Sequence, residues 1–208
     1  MICPSCGSDY KGILGLSTHI GKSDCELPDL TRPEKNIAIG VLMGDGTINR
    51  GSLQMQNTNK RYVMWLKSQF ETVNVNVSYA DSRGENLSPI WTLNTSAHEY
   101  FKGMESWYNS GQKRYPDDLS LTPIILNNWY SCDGGIVNNG YSARIYCKNE
   151  IDRVDFLYRI FDDIDIYPTI YTSDSRCEID FRSDEKSKLF DYMGSPLPGM
   201  SYKWEVDW

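Results

Sequence analysis

Two aspartates stand at matching places in the chain, each closing an apolar segment that ends in Asp-Gly. Asp45 ends IAIGVLMGDG, and Asp133 ends IILNNWYSCDG 88 residues later. Hydrolysis of a phosphodiester needs an activated water and positive charge beside the phosphate, and divalent metals held by carboxylates supply both. An Asp-Gly pair can also simply end a helix and turn the chain. Because the Asp-Gly pair ends two similar apolar segments, at equivalent positions 88 residues apart, we predict metal binding at both aspartates, with Mg²⁺ as the ion.

A second group of chemical side chains lies at the N-terminus, in the spacing Cys-x2-Cys-x12-His-x5-Cys: Cys3, Cys6, His19 and Cys25. Thiolate and imidazole are the ligands that zinc prefers, and four of them leave no coordination position for water, so we predict a structural Zn²⁺ site. Tyr10 and Leu16 stand where a small finger needs its core. The pattern resembles a nucleic-acid-reading ββα finger with cysteine in place of the last histidine.

Two questions about this finger stay open at the level of sequence. Its cysteines could instead form disulfides or be unrelated thiols, although the spacing and the single histidine favour a metal site. Its surface could contact nucleic acid or dock against protein. The remaining thiols, Cys132, Cys147 and Cys177, are scattered, which fits a reducing compartment better than a disulfide framework.

Length and charge limit the class of protein. The 208 residues suffice for one ordinary domain plus a small module, and we predict a finger at 1–27 and a main domain at 28–208. No apolar run is long enough to span a membrane and no signal peptide is visible, so we expect an intracellular protein. The net charge of −7 argues against a generic DNA-binding surface. The excess lies in residues 150–208, with 7 basic and 14 acidic side chains, whereas residues 1–149 carry 14 of each.

The elements that must position the aspartates also repeat. Thr31 and Glu34 form a capping box for a helix predicted from Arg32 to Gly44, and Thr122 with Pro123 begins the second helix. After each aspartate comes a strand with a polar face, and then a helix. Further strands are predicted at 90–95, 168–173 and 178–182, and a closing helix ends each copy. Each unit thus reads α-β-β-α-β-β-α, over 31–118 and 119–208.

These repeats carry a resemblance to the single-chain, two-motif form of the LAGLIDADG homing endonuclease family, over residues 31 to about 203. GVLMGDG and WYSCDGG match the outline of its motif, and GQKRYPDDL is similar to its inter-repeat connection. The resemblance implies an α+β fold in which two motif helices pack together and two four-stranded sheets form a pseudo-twofold saddle over the DNA major groove. It also implies that Asp45 and Asp133 hold the metal. Motif helices of this family meet through small residues; Gly40 is one, whereas Asn128 and Trp129 occupy the second helix.

Further site residues are assigned by position. Gln56 and Lys148 at the ends of the polar strand faces and Lys203 in SYKW are candidates to activate water or neutralise phosphate charge, and are equally consistent with phosphate or solvent contacts. Base readout is assigned to the polar faces: Asn49, Arg50, Ser52, Gln54, Gln56, Arg144, Tyr146 and Lys148. Gln suits adenine and Arg suits guanine in the major groove. Glu178 and Asp180 fit this face poorly unless they accept from cytosine or their strand points elsewhere. His98 is predicted to be structural.

The function predicted from these observations is a monomeric, metal-dependent endonuclease of intron homing, which cuts both strands of a long asymmetric site in double-stranded DNA. One alternative is a cleavage-silent protein of the same fold, either a maturase that binds intron RNA or a DNA-binding regulator. Another is a protein-interaction module joined to an unrelated α/β domain. Cleavage of target DNA in Mg²⁺ separates the three.

Overall fold

The computed structural model describes residues 1–4, 6–23, 25, 27–81, 89–109 and 111–205. Within them are seven α-helices: α1 Gly12–Ile20, α2 Arg32–Met43, α3 Lys60–Gln69, α4 Glu99–Gly103, α5 Pro123–Asp133, α6 Val154–Asp162 and α7 Ser183–Met193. The strands are β1 Thr47–Asn49, β2 Ser52–Asn57, β3 Val75–Ala80, β4 Ile90–Thr95, β5 Tyr108–Asn109, β6 Gln112–Lys113, β7 Gly134–Val137, β8 Ser142–Tyr146, β9 Thr169–Ser173 and β10 Arg176–Arg182. Short 3-10 turns occupy Met104–Trp107, Lys148–Glu150 and Ser201–Lys203.

The chain divides into two compact units. The first unit contains Met1–Ala38 and Gly46–Glu105, and the second contains Ile39–Asp45 and Ser106–Trp208. The end of the first motif helix and Asp45 therefore belong to the same unit as α5 and Asp133. The structure describes this unit as far as residue 205.

The first unit is built on a four-stranded antiparallel sheet in the order β1-β2-β4-β3. Leu53, Met55 and Leu93 point to one face and are almost fully buried against α3, where Tyr62 and Leu66 are buried as well. The side chains that alternate with them form the open face, as the period-2 pattern in β2 predicts. Burial of each large apolar side chain contributes about 1.5–3 kcal/mol, so this alternation also fixes the register.

The second unit repeats the arrangement with the order β7-β8-β10-β9. Its core is a run of aromatic contacts: Trp129 stacks on Phe161, with ring centroids 6.1 Å apart, and Phe161 meets Phe181 edge-on at 5.3 Å. Both halves thus show the predicted α-β-β-α-β-β-α order. The predicted mixed fold with two antiparallel sheets is confirmed.

The predicted helix starts are confirmed in atomic detail. Glu34 accepts from the backbone N–H of Thr31 at 2.7 Å, and the Thr31 hydroxyl accepts from the N–H of Glu34 at 3.4 Å. Glu34 is also buried and accepts the N–H groups of Glu71 and Thr72, both at 2.8 Å. These bonds lower its pKa against the opposing effect of burial, which is the largest influence. Thr122 accepts from the N–H of Ile125 and caps α5.

Two local expectations need correction. β3 completes the first sheet at Val75–Ala80, a strand that the sequence analysis did not place. Lys148 does not lie on a strand: β8 ends at Tyr146, and Lys148 begins a 3-10 turn. The reason is that the N–H of Cys147 bonds to the carbonyl of Cys177, after which the N–H of Glu150 turns back to the carbonyl of Cys147.

Candidate functional site

The two motif helices approach each other closely where α2 carries glycine. A Cβ placed on Gly40 would lie 2.5 Å from the carbonyl oxygen of Ile125 and 2.7 Å from Cβ of Asn128. A Cβ on Gly44 would overlap that of Cys132. The amide of Asn128 bonds to the carbonyl of Ile124 on its own helix at 2.8 Å. Gly40 on α2 and Gly44 just after it therefore permit close packing against the larger residues of α5.

This packing predicts the result of a single substitution. We expect Gly40→Ala to lower the free energy of unfolding by about 1–3 kcal/mol, because the new methyl group meets backbone atoms that cannot move independently. Thermal unfolding of the variant measures the loss, and Gly103→Ala is a suitable control because nothing lies within 4 Å of a Cβ there. Equal stability of the Gly40→Ala and wild-type proteins would contradict the close approach.

Asp45 and Asp133 lie at the ends of the two motif helices, and the charge of Asp45 affects the ionisation of Asp133. The pKa of Asp133 is raised from 3.8 to about 7, first by burial and then by the negative charge of Asp45, while Lys113 and Lys203 act in the opposite direction. Asp45 itself is exposed. A carboxyl group that is hard to ionise because a second carboxylate lies nearby is a site at which cation binding is favoured.

Two lysines lie over the ends of the motif helices in a parallel way. The ammonium group of Lys113 donates to the carbonyls of Leu42 at 2.6 Å and Gly44 at 2.7 Å. That of Lys203 donates to the carbonyl of Cys132 at 2.7 Å. Burial lowers the pKa of both lysines, and the nearby carboxylates oppose this shift. The helix ends therefore place two lysine ammonium groups near the two aspartates.

Lys203 was nominated from the sequence, whereas Lys113 was missed. Lys113 follows Gly44 by 69 residues, and Lys203 follows Cys132, the equivalent of Gly44 in the second copy, by 71. The signal was present in the inter-repeat segment GQKRY, which occupies the place in the first copy that MSYKW occupies in the second.

The packing around this site is dense and aromatic. Tyr115 is fully buried and donates its hydroxyl hydrogen to the carbonyl of Met43 at 2.6 Å. Its ring meets Trp129 edge-on at 5.7 Å. The end of α2 is thus held between Lys113 and Tyr115, both from the segment after β5. This arrangement fixes the direction in which the chain leaves the helix towards Asp45.

The open face of the first sheet carries amides and hydroxyls. Five predicted readout residues are found on it or at its edge: Asn49 ends β1, Arg50 lies in the following turn with φ of 51°, and Ser52, Gln54 and Gln56 alternate along β2. Strand pairing brings β3 and β4 residues beside them, with Gln54 opposite Asn94 and Gln56 opposite Thr92. Gln56 therefore lies on the predicted face, within the first unit.

The open face of the second sheet is charged. Arg144 on β8 lies opposite Asp180 on β10, and its guanidinium forms ion pairs with Glu178 at 2.6 Å and Asp180 at 3.7 Å. The acids therefore share a face with Arg144 and do not point elsewhere. Tyr146 is exposed at the end of β8, and Lys148 is exposed beyond it. The role of each in readout stays a prediction.

The four N-terminal ligands come together as their spacing predicts. Sγ of Cys3, Cys6 and Cys25 and a ring nitrogen of His19 all lie within 4.8 Å of one another. A turn after Cys3 places Cys6, α1 carries His19 in its last turn, and Tyr10 stacks on the imidazole at 4.6 Å. All six cysteines are free thiols. Hydrogen bonds from Ser8 lower the pKa of Cys6 to about 6, which favours the thiolate that zinc requires.

His98 has a structural role, as expected. Its Nδ1 accepts from the N–H of Tyr100 and caps α4, while Nε2 lies 3.0 Å from the carbonyl oxygen of Pro28. The ring is buried and so ties the segment after the finger to the first sheet unit. Across the described ranges, no helix is long and apolar enough to cross a membrane.

Comparison with known proteins identifies relatives of the chain and of its fold. A sequence model of the LAGLIDADG DNA endonuclease family matches residues 35–189. Uncharacterized protein MJ1098 of Methanocaldococcus jannaschii is 30% identical over 132 residues, which are 59% of this chain and 52% of that protein. The chain thus spans about half the length of this curated relative.

Two solved structures are similar in fold. The homing endonuclease I-WcaI, bound to its DNA recognition sequence, has a TM-score of 0.74 at 18% identity, covering 98% of this chain and 96% of that one. Full-length DUF199/WhiA from Thermatoga maritima has a TM-score of 0.53 at 10% identity, covering 80% and 57%.

Proposed function

Because the chain belongs to the LAGLIDADG DNA endonuclease family, we propose that it is a sequence-specific, metal-dependent DNA endonuclease of the homing type. Its substrate is a long asymmetric site in double-stranded DNA, cut on both strands by a monomer that contains both motifs. One observation carries the proposal: Asp45 and Asp133 influence each other electrostatically at the ends of two helices, and a half-buried lysine donates to the carbonyls at each end.

The donor set suits a hard divalent cation. Asp45 and Asp133 offer carboxylate oxygens, and Mg²⁺ binds through one or two carboxylates while keeping water and phosphate oxygens as further ligands. When bound, such an ion lowers the pKa of water and stabilises charge on the phosphate. The raised pKa of Asp133 supports this assignment, because burial and the charge of Asp45 disfavour its carboxylate form and a bound cation would offset both.

The protein's own residues contribute the remainder of the chemistry. Lys113 and Lys203 place positive charge beside the carboxylates, where charge develops on the phosphate oxygens during hydrolysis. Their hydrogen bonds to helix carbonyls fix the ammonium groups before the substrate arrives, so little reorganisation is needed. Gln56 and Lys148 remain candidates for phosphate contacts.

The finger is proposed to be a structural zinc module that extends the DNA contact. Closure of four ligands around one ion leaves no position for a substrate, and a segment of this size has little core of its own. Protein docking is the competing role, and DNA affinity at matched salt distinguishes the two.

The zinc proposal predicts a stoichiometric metal. We expect Cys3→Ser to remove one equivalent of zinc from the purified protein and to weaken DNA affinity, because three ligands leave the site open. Cys132→Ser is the matched control, since Cys132 lies outside the cluster. Atomic absorption gives the zinc content. Full zinc occupancy in Cys3→Ser would exclude the site, and unchanged DNA affinity after zinc loss would assign the finger to protein docking.

One experiment tests the proposed activity directly. Duplexes that the protein retains from a randomised DNA library are cloned and incubated with it in Mg²⁺, and in EDTA as control. We expect cleavage of both strands in Mg²⁺ alone. Retention of a DNA sequence without cutting would support the cleavage-silent DNA-binding regulator, and a preference for intron RNA over every duplex would support the maturase.

A further inference from the structure

Five charged residues form one continuous chain on the open face of the second sheet. Glu178 and Asp180, here called the carboxylate pair, lie two residues apart on β10 and both pair with Arg144 from β8. Glu178 also pairs with Arg176 at 3.2 Å, and Asp180 pairs with Arg182 at 2.8 Å. Signs alternate along the chain, and each carboxylate bridges two arginines.

The acids lie beneath the arginines. The side chains of Glu178 and Asp180 are 8% and 0% exposed, whereas those of Arg176 and Arg182 are 71% and 52% exposed. A buried carboxylate is costly unless it is paired and hydrogen-bonded, so the arginines are strongly held in place. What reaches the outer surface of this face is therefore guanidinium and not carboxylate.

The paired arginines keep exposed surface that a ligand can reach. Arg144 lies 2.6 Å from Glu178 through Nη1 and 3.7 Å from Asp180 through Nε, and its side chain is 19% exposed. Arg182 is fixed a second time, because its Nη2 donates to the hydroxyl of Tyr171 at 2.7 Å. An arginine held by a carboxylate loses less side-chain entropy when it binds, and two N–H groups in a plane match O6 and N7 of guanine.

The first sheet offers a contrasting surface. Its described open-face strand residues carry no charge, and consist mainly of amides and hydroxyls: Thr47, Asn49, Ser52, Gln54, Gln56, Asn76, Ser78, Thr92 and Asn94. Asn and Gln pair with adenine through N6 and N7. The two sheets thus present different chemistry to a major groove.

We infer that Glu178 and Asp180 are positioning residues that fix Arg144, Arg176 and Arg182 for guanine recognition. The half-site read by the second sheet is then rich in guanine, and the half-site read by the first sheet favours adenine. This inference rests on the proposed function, since it assigns base preference to a DNA-binding face. It also explains why an acidic pair lies on that face without repelling phosphate.

Binding-site selection tests the inference with single substitutions. Wild-type, Glu178→Gln and Asp180→Asn proteins are each used to select duplexes from a randomised library in Ca²⁺ without Mg²⁺, and dissociation constants are then measured for single-base changes. We expect the wild-type protein to select guanines on one side of its site. In both variants, discrimination against other bases there should fall about 10-fold or more, the value of a lost bidentate contact.

Two controls separate positioning from charge. Asp191→Asn removes the same charge from an exposed position on α7, and should leave every base preference unchanged. Arg144→Lys keeps the positive charge and the carboxylate pair, and should lose guanine preference at one position only. Thermal unfolding verifies folding, and if Asp180→Asn unfolds then Glu178→Gln and Arg144→Lys carry the test.

The outcomes are distinct. Unchanged base preferences in Glu178→Gln and Asp180→Asn, with equally tighter binding to all duplexes, would overturn the inference and show that the acids act through charge alone. Selection of a site without guanine on either side would overturn it as well. Failure of the wild-type protein to bind any duplex would instead overturn the proposed function, on which the inference depends.

Discussion

Replacing either Asp45 or Asp133 with Asn should abolish double-strand cleavage while leaving DNA affinity near normal. Asparagine keeps the size and hydrogen-bonding capacity of the side chain but removes the charge that holds a divalent cation. We expect either change to impair cutting of both strands by about 10²-fold or more, with residual nicking as the remaining product. Cleavage of supercoiled plasmid carrying a selected target measures the rate in Mg²⁺, and affinity is measured in Ca²⁺.

The outcomes for the two aspartates can be read separately. Wild-type cutting by the doubly substituted protein would refute the assignment of the active site. An undiminished rate in one single variant would remove that aspartate from the site. Asp117→Asn is a matched control, because this exposed aspartate pairs with Arg153 and does not contribute to the shifted pKa of Asp133.

Asp133→Asn also has a stability effect of defined sign. The pKa of Asp133 is raised from 3.8 to about 7 in the folded protein, so its ionisation costs folding free energy. That cost is absent below the unfolded-state pKa, grows as the pH rises towards the folded value, and is constant above it. In EDTA at pH 8 the variant should therefore be more stable than the wild type, by about 1–2 kcal/mol after allowance for solvent screening. At pH 4 the difference should largely vanish.

Replacing Lys113 or Lys203 with Met should also reduce cleavage strongly, by about 10²-fold for each, with little change in affinity for DNA. Methionine keeps the length and apolar stem of the side chain but removes the ammonium charge. Loss of hydrogen bonds to buried helix carbonyls should lower the unfolding free energy by about 1–3 kcal/mol as well. Single-turnover cleavage at a temperature where each variant is fully folded separates the two effects.

The exposed Lys102, which pairs with Glu99, provides the control, and Lys102→Met should cleave at the wild-type rate. A Lys113→Met protein that is less stable yet cuts normally when folded would confine that lysine to a structural role. The result would leave the assignment of the aspartates intact, since Lys203 occupies the equivalent place in the second copy.

Local sequence patterns were sufficient to predict most helices and strands and the four finger ligands. The capping box at Thr31, the alternation in β2 and the four finger ligands are all specified within about 25 residues, because caps, pleats and metal spacing depend on near neighbours in the chain. The repeated Asp-Gly motif with its strands was sufficient to predict two similar halves. β3 was missed because its alternation, NVNVSYA, contains few strongly apolar residues.

The tertiary structure decided which distant residues share the site. Lys113 meets the carbonyl of Leu42 across 71 residues of chain, an association that only the packing of the returning segment creates. Arg144 reaches the carboxylate pair because strand register places it opposite Asp180, and register depends on the buried face of the whole sheet. The sequence by itself predicted the two aspartates, Lys203, the finger ligands and the polar strands. The fold alone decided the place of Lys113, the atoms that Gly40 approaches and the pairing of the acids, because each of these depends on contacts between segments far apart in the chain.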